Sequence, residues 1–133
     1  MNLEQGMEST VEETVTGEMT AEALGSGDVP VLGTPAVLAL IERAAVEAVA
    51  GRLGRGQTSV GAAVELQHLA PTPVGSPIMA TVRLTSLDGR RLGFDFEVSD
   101  GRGVVTRGHH RRVVVDRESF LASVGTRSQV PPP

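Results

Sequence analysis

Three residues of reactive type stand among apolar or small neighbours. Thr34 opens the run Pro35-Ala-Val-Leu-Ala-Leu-Ile-Glu-Arg-Ala-Ala-Val-Glu-Ala-Val-Ala50, and Glu42 lies inside it, eight positions on (42 − 34). His68 closes a stretch that alternates like a strand: Val60, Ala62, Val64, Leu66, His68. A carboxylate and an imidazole held against an apolar surface cost desolvation energy, so each needs a partner or a task. An imidazole, a carboxylate and a hydroxyl in one pocket supply a base, a group that orients the base, and a hydroxyl that either attacks or positions an attacking water. A helix packed across that strand would bring all three together.

Each residue also has a plainer use. Thr34 is a good helix cap and Pro35 suits the first turn. Glu42 at a helix edge can reach solvent or an arginine. His68 can end a strand with one structural hydrogen bond. His109 and His110 are neighbours on a strand, so they face opposite ways, and no carboxylate stands at metal-ligand spacing. No metal site is expected. Arg90-Arg91 could meet phosphates, but a solvated hairpin end is the simpler reading. The acidic set Glu8, Glu12, Glu13 and Glu18 reads as a solvated strand face.

The elements that would position these groups follow from periodicity. Residues 1–7 read as a loose tail and 8–20 as a strand rich in Thr and Val. Gly25, Gly27, Asp28 and Pro30 mark 21–31 as a loop or short irregular turn. Val37, Leu38, Ile41, Ala44, Ala45, Ala48 and Val49 recur at helical spacing, with Glu42 on the edge of that stripe. Gly51, Gly54 and Gly56 end the helix. Four strands follow, over 58–69, 78–87, 90–99 and 104–115, with Asp88-Gly89 a strong hairpin signal. A short helix is expected over 117–124 and a disordered tail over 125–133. Strand, long helix, then antiparallel meander gives an α+β layer: one long helix on a curved antiparallel sheet of about five strands, as a single domain over 8–124.

Composition narrows the class. The chain has 133 residues, 40% hydrophobic and only 2% aromatic, so its core is built from Val, Leu, Ile and Ala. A domain of this size buries a limited core, which is compatible with an oligomer. Net charge is −4 and Tyr and Trp are absent, which argues against a nucleic-acid binder. With no cysteine, disulfides, thiolate catalysis and zinc-thiolate sites are excluded. The acidic N-terminus is no signal peptide, and no apolar run reaches the ~18 residues of a membrane span, so a cytoplasmic protein is expected.

Several stretches resemble the hotdog-fold thioesterases related to fluoroacetyl-CoA thioesterase. They are Val31-Leu-Gly-Thr-Pro-Ala-Val-Leu-Ala-Leu-Ile-Glu-Arg-Ala-Ala45, Thr58-Ser-Val-Gly-Ala-Ala-Val-Glu-Leu-Gln-His-Leu-Ala-Pro-Thr-Pro-Val-Gly75, Asp88-Gly-Arg-Arg91 and Gly108-His-His-Arg-Arg-Val-Val-Val-Asp116. The resemblance implies that Thr34, Glu42 and His68 are catalytic. It also implies that the Gly61 backbone lines the acyl site and that Arg112 helps shape it. The implied substrate is an acyl-CoA and the implied assembly a homodimer with its site at the interface. No cofactor is implied, and pairing of dimers into tetramers stays open. The fluoroacetyl-specific member carries a lid of phenylalanines ahead of the helix. Here the first aromatic is Phe94, and residues 21–33 are Ala, Gly, Leu, Val and small polar types. That departure points to a broader or different acyl thioester.

Two other functions stay open. The acyl group could arrive on a carrier protein, although carriers are usually acidic and would be repelled by this acidic chain. The fold could instead serve as a non-catalytic acyl-CoA-binding module, since fold does not fix function.

Overall fold

Alternation of buried and exposed residues, clearest over Ile78–Leu84 and Leu92–Val98, and breaks at Gly and Pro set the strands. A computed structural model describes residues 1–128. In chain order they form β1 (Glu8–Thr14), a single 3-10 turn (Gly17–Met19), α1 (Ala21–Leu24) and α2 (Thr34–Ala48). β2 (Gln57–His68), β3 (Pro77–Asp88), β4 (Arg91–Asp100), β5 (Gly103–Asp116) and α3 (Arg117–Ser128) follow. The five strands make one open antiparallel sheet in the order β1-β3-β4-β5-β2, so β1 and β2 are its edges. Register shifts between Gly61 and Ala63, Leu84 and Ser86, and Val98 and Ser99 add local twist, which curls the sheet.

Helix α2 lies on the inner face of that sheet, against β3, β1, β4 and β2. Its Val37, Leu40, Ile41, Ala44, Ala45 and Ala48 are buried. They pack with Ile78, Ala80, Val82 and Leu84 of β3 and with Leu92, Phe94, Phe96 and Val98 of β4. Small residues on the helix let it sit close to the strands, and the two core phenylalanines supply the bulk that the Ala-rich helix lacks. Leu38, expected in the apolar stripe, is only partly covered, and Leu40 takes the core position.

Four boundaries differ from expectation for local reasons. The first strand stops at Thr14, because Thr16 to Met19 turn away before α1. Residues 21–31 contain a true helical turn. Thr20 caps it by accepting from the Ala23 N–H at 3.1 Å, and Gly25 closes it in the left-handed region at φ 72°. Residues 1–7, expected loose, are tied down. The Asn2 N–H donates to the Arg52 carbonyl, the Gly6 N–H to the Leu84 carbonyl, and Leu3 and Met7 rest on the core. The last helix extends to Ser128, so residues 125–128 of the expected tail are helical, while 129–133 lie outside the described residues. No described helix is long and apolar enough to cross a membrane.

Candidate active site

Helix α2 begins one residue earlier than a capping Thr34 would require. Gly33 is the N-cap, Thr34 the first helical residue and Pro35 lies in the first turn. The Ala36 and Val37 N–H groups both donate to the Gly33 carbonyl. The Thr34 hydroxyl is therefore not used as a cap. It lies instead 2.9 Å from Nδ1 of His68, the last residue of β2.

The loop before the helix holds this end in place. The Gly33 N–H donates to the Met19 carbonyl at 2.8 Å and the Leu32 N–H to the Thr72 carbonyl at 2.9 Å. A Cβ on Gly33 would stand 3.0 Å from the Ala21 backbone, so glycine lets the loop close on α1 without a shift. Thr72 is fully buried and donates to an Asp100 carboxylate oxygen at 3.0 Å. Asp100 also accepts from the Arg102 backbone N–H, which is the main reason that its carboxyl is held below its ordinary range. No acidic residue stands in the first turn of α2, so the positive end of the helix is not neutralised there.

Glu42 is two helical turns further on, about 12 Å along the axis from Thr34. Within one chain it does not reach His68, contrary to the expectation that it orients that ring. It accepts instead from a terminal nitrogen of Arg112 at 3.3 Å. Arg112 is buried, and it also donates to the Ser59 hydroxyl at 2.9 Å and the Ser59 carbonyl at 3.0 Å. Burial lowers its pKa, and Glu42 opposes that shift.

Gly61 completes this second cluster. A Cβ there would stand 2.7 Å from a Glu42 carboxylate oxygen, so glycine lets the carboxylate rest against the β2 backbone. Leu38, Glu42, Gly61, Ala62, Ala63, Val64 and His110 line an open cavity of about 260 Å³.

His110, weighed in the sequence only as a metal ligand, lines the same cavity. Its Nδ1 is 2.9 Å from the Ala63 carbonyl, which can only accept, so Nδ1 carries the proton. Its Nε2 then accepts from Arg112 at 3.2 Å. Burial is the largest cause that lowers the His110 pKa, so the ring is held neutral. The available signal was the spacing of His110 and Arg112, two apart on one strand and hence on one face. His109 does face the other way, 2.9 Å from Asp95 on the outer surface. Among the described residues no group of three or more His, Cys, Asp or Glu could hold a metal ion. Arg90 pairs with Asp116 at an exposed hairpin end.

The structure thus brings Thr34 to His68, and Glu42 to Gly61 and Arg112, as two clusters on one face of one chain. Residues 15–118 match the model of a family described as fluoroacetyl-CoA-specific thioesterase. The fluoroacetyl-CoA thioesterase of Streptantibioticus cattleyicolor is 37% identical over 94 residues, which cover 71% of this chain and 68% of that protein. A solved fluoroacetyl-CoA thioesterase superposes with a TM-score of 0.88 at 31% identity, covering 98% of this chain and 100% of the other. A mutant of the fluoroacetyl-CoA-specific enzyme, solved with fluoroacetate and CoA, gives a TM-score of 0.84 at 31% identity over 89% of this chain and 99% of its own. The chain belongs to the fluoroacetyl-CoA-specific thioesterase family, whose members are hotdog-fold thioester hydrolases.

Proposed function

We propose that this protein hydrolyses an acyl-CoA to the free acid and CoA through Thr34, His68 and the Glu42 of a second copy. The observation that carries the reading is the 2.9 Å contact between the Thr34 hydroxyl and His68 Nδ1 at an unneutralised helix N-terminus. His68 takes the hydroxyl proton as Thr34 Oγ1 attacks the thioester carbonyl. The positive helix end and the Thr34 N–H stabilise the oxyanion that forms. CoA leaves as the thiol, taking the proton from His68, and water then releases the acid from Thr34 with His68 again as base. No metal or organic cofactor takes part.

Glu42 enters from the partner in this reading. β2 is an edge strand, paired only on its β5 side, whose middle residues Ala62 and Val64 are exposed, and such an edge invites a second chain. Two copies of β2 paired antiparallel about a two-fold near Val64 lay the Gly61 end of one beside the His68 end of the other. The carboxylate resting on Gly61 then stands at the partner's Thr34 and His68, where it orients the attacking group. The Gly61 backbone and Arg112 shape the acyl side of the same pocket.

The acyl group is read as broader than fluoroacetyl. The segment over the helix start presents the exposed aliphatic residues Leu24 and Val29 and no aromatic ring, so its contacts suit short or medium aliphatic chains. The test is thiol release by wild type, Thr34→Ala, His68→Ala and Glu42→Gln on one acyl group carried by CoA or by a carrier protein. The reading expects turnover on CoA and a loss of about 100-fold or more in each variant. Turnover only on the carrier-linked form would move the substrate to carrier proteins. Tight acyl-CoA binding without hydrolysis would make the protein a binding module.

A further inference from the structure

His68 uses one ring nitrogen on Thr34, and its other nitrogen, Nε2, is buried with no hydrogen-bond partner among the described residues. One further buried side-chain atom is in the same condition: Oγ1 of Thr106. The two residues are directly paired across the β2–β5 ladder, so their side chains leave the sheet on the same face, a few ångströms apart. His68 reaches Thr34 on α2, so that face is the inner one. The row that crosses the sheet there reads His68, Thr106, Val98, Ala80, Val11. Thr106, Val98, Ala80 and Val11 are all buried. The Thr106 hydroxyl thus stands in an apolar row whose one other polar member is His68. A valine would fill the same space without burying a hydroxyl.

We propose that Thr106 is a positioning residue for His68, whose hydroxyl accepts a hydrogen bond from Nε2–H. The bond forms directly after rotation of the Thr106 side chain, or through one water between the two atoms. Its consequence is a fixed tautomer. With the proton held on Nε2, the lone pair lies on Nδ1, where it can receive the Thr34 proton. With the proton on Nδ1, His68 could only donate to Thr34 and could not act as its base. The role rests on the hydrolytic reading of the Thr34–His68 pair.

The experiment combines nitrogen-15 NMR of histidine-labelled protein with steady-state kinetics on the best acyl-CoA. Wild-type His68, when neutral, is expected as the Nε2–H form. Thr106→Val should give a mixed tautomer and about a tenfold lower kcat, the size of one lost hydrogen bond, with KM unchanged. Thr106→Ser, which keeps the hydroxyl, should restore both. An Nδ1–H ring in the wild type would overturn the proposal. So would a Thr106→Val enzyme that keeps the Nε2–H form, whatever its kcat, because any loss would then come from packing. If Thr106→Val does not fold, the wild-type tautomer still decides. If Thr34→Ala and His68→Ala both kept full turnover, the hydrolytic reading would fail, while the tautomer result would still report whether Thr106 orients the ring.

Discussion

In the proposed mechanism the Thr34 hydroxyl reacts only if His68 presents a lone pair to it, and that contact spans 34 residues of sequence. The reactive types and the meeting of Thr34 with His68 were legible from sequence, but the place of Glu42 was not. Thr34 reads as a cap, yet Gly33 takes that place and frees the hydroxyl. Glu42 reads as an orienter of His68, yet its partner is Arg112, 70 residues away on another element. Nothing local signals that ion pair, because it depends on how α2 crosses the sheet. Gly61→Ala tests what the carboxylate position is worth. The new methyl would push the Glu42 side chain off β2, which is free to swing because it is half exposed. Activity should fall at least about tenfold while the melting temperature stays within a few degrees. Kinetics and a thermal melt on the same sample check both halves. His110 carries a prediction of opposite kind. Its folded pKa lies below the ordinary 6.5, so on acidification through that value the unfolded chain binds a proton that the native ring refuses. Stability should therefore fall as pH drops below about 6.5. His110→Asn should flatten that part of the melting-temperature profile, and an equally steep profile in the variant would contradict the assignment.

Among the elements, the long strands and α2 were the most legible. Alternation with Asp-Gly and Gly-rich turns set β2 to β5 to within a residue or two, most cleanly for β3 and β4, which bury one face under α2. The short pieces were not legible. α1 has only four residues, too few for a periodicity to show, and it exists because Thr20 caps it and residues 31 and 32 bridge to the β2–β3 loop and to Thr20. Residues 1–7 are held by backbone bonds that no side-chain pattern announces. One strand position is tightly constrained. A Cβ on Gly108 would overlap the Glu65 carbonyl oxygen and press on the Phe96 ring at 2.7 Å. Because the first obstacle is backbone, it cannot move aside cheaply. Gly108→Ala should destabilise the fold by about 3 kcal/mol, read from chemical denaturation. A loss under about 1 kcal/mol would mean that β2 and β5 separate more easily than their ladder implies.

At the scale of the whole molecule, one chain holds both halves of the proposed site but does not join them. The proposed assembly paired along β2 would join each half to its partner's. Mixing Glu42→Gln with His68→Ala subunits tests this. A heterodimer would contain one intact site, so random reassortment should recover about a quarter of wild-type activity. A site contained in one chain would recover none. Val64→Arg, placed on the exposed edge, should give monomers by light scattering and abolish turnover. The most direct measurement of the central claim is thiol release across a panel of acyl-CoAs, from acetyl through medium chains and aryl acids to fluoroacetyl, with His68→Ala beside the wild type. The account predicts turnover on at least one aliphatic member, reduced about 100-fold or more in the variant. A folded His68→Ala protein that turns over every substrate at the wild-type rate would contradict it.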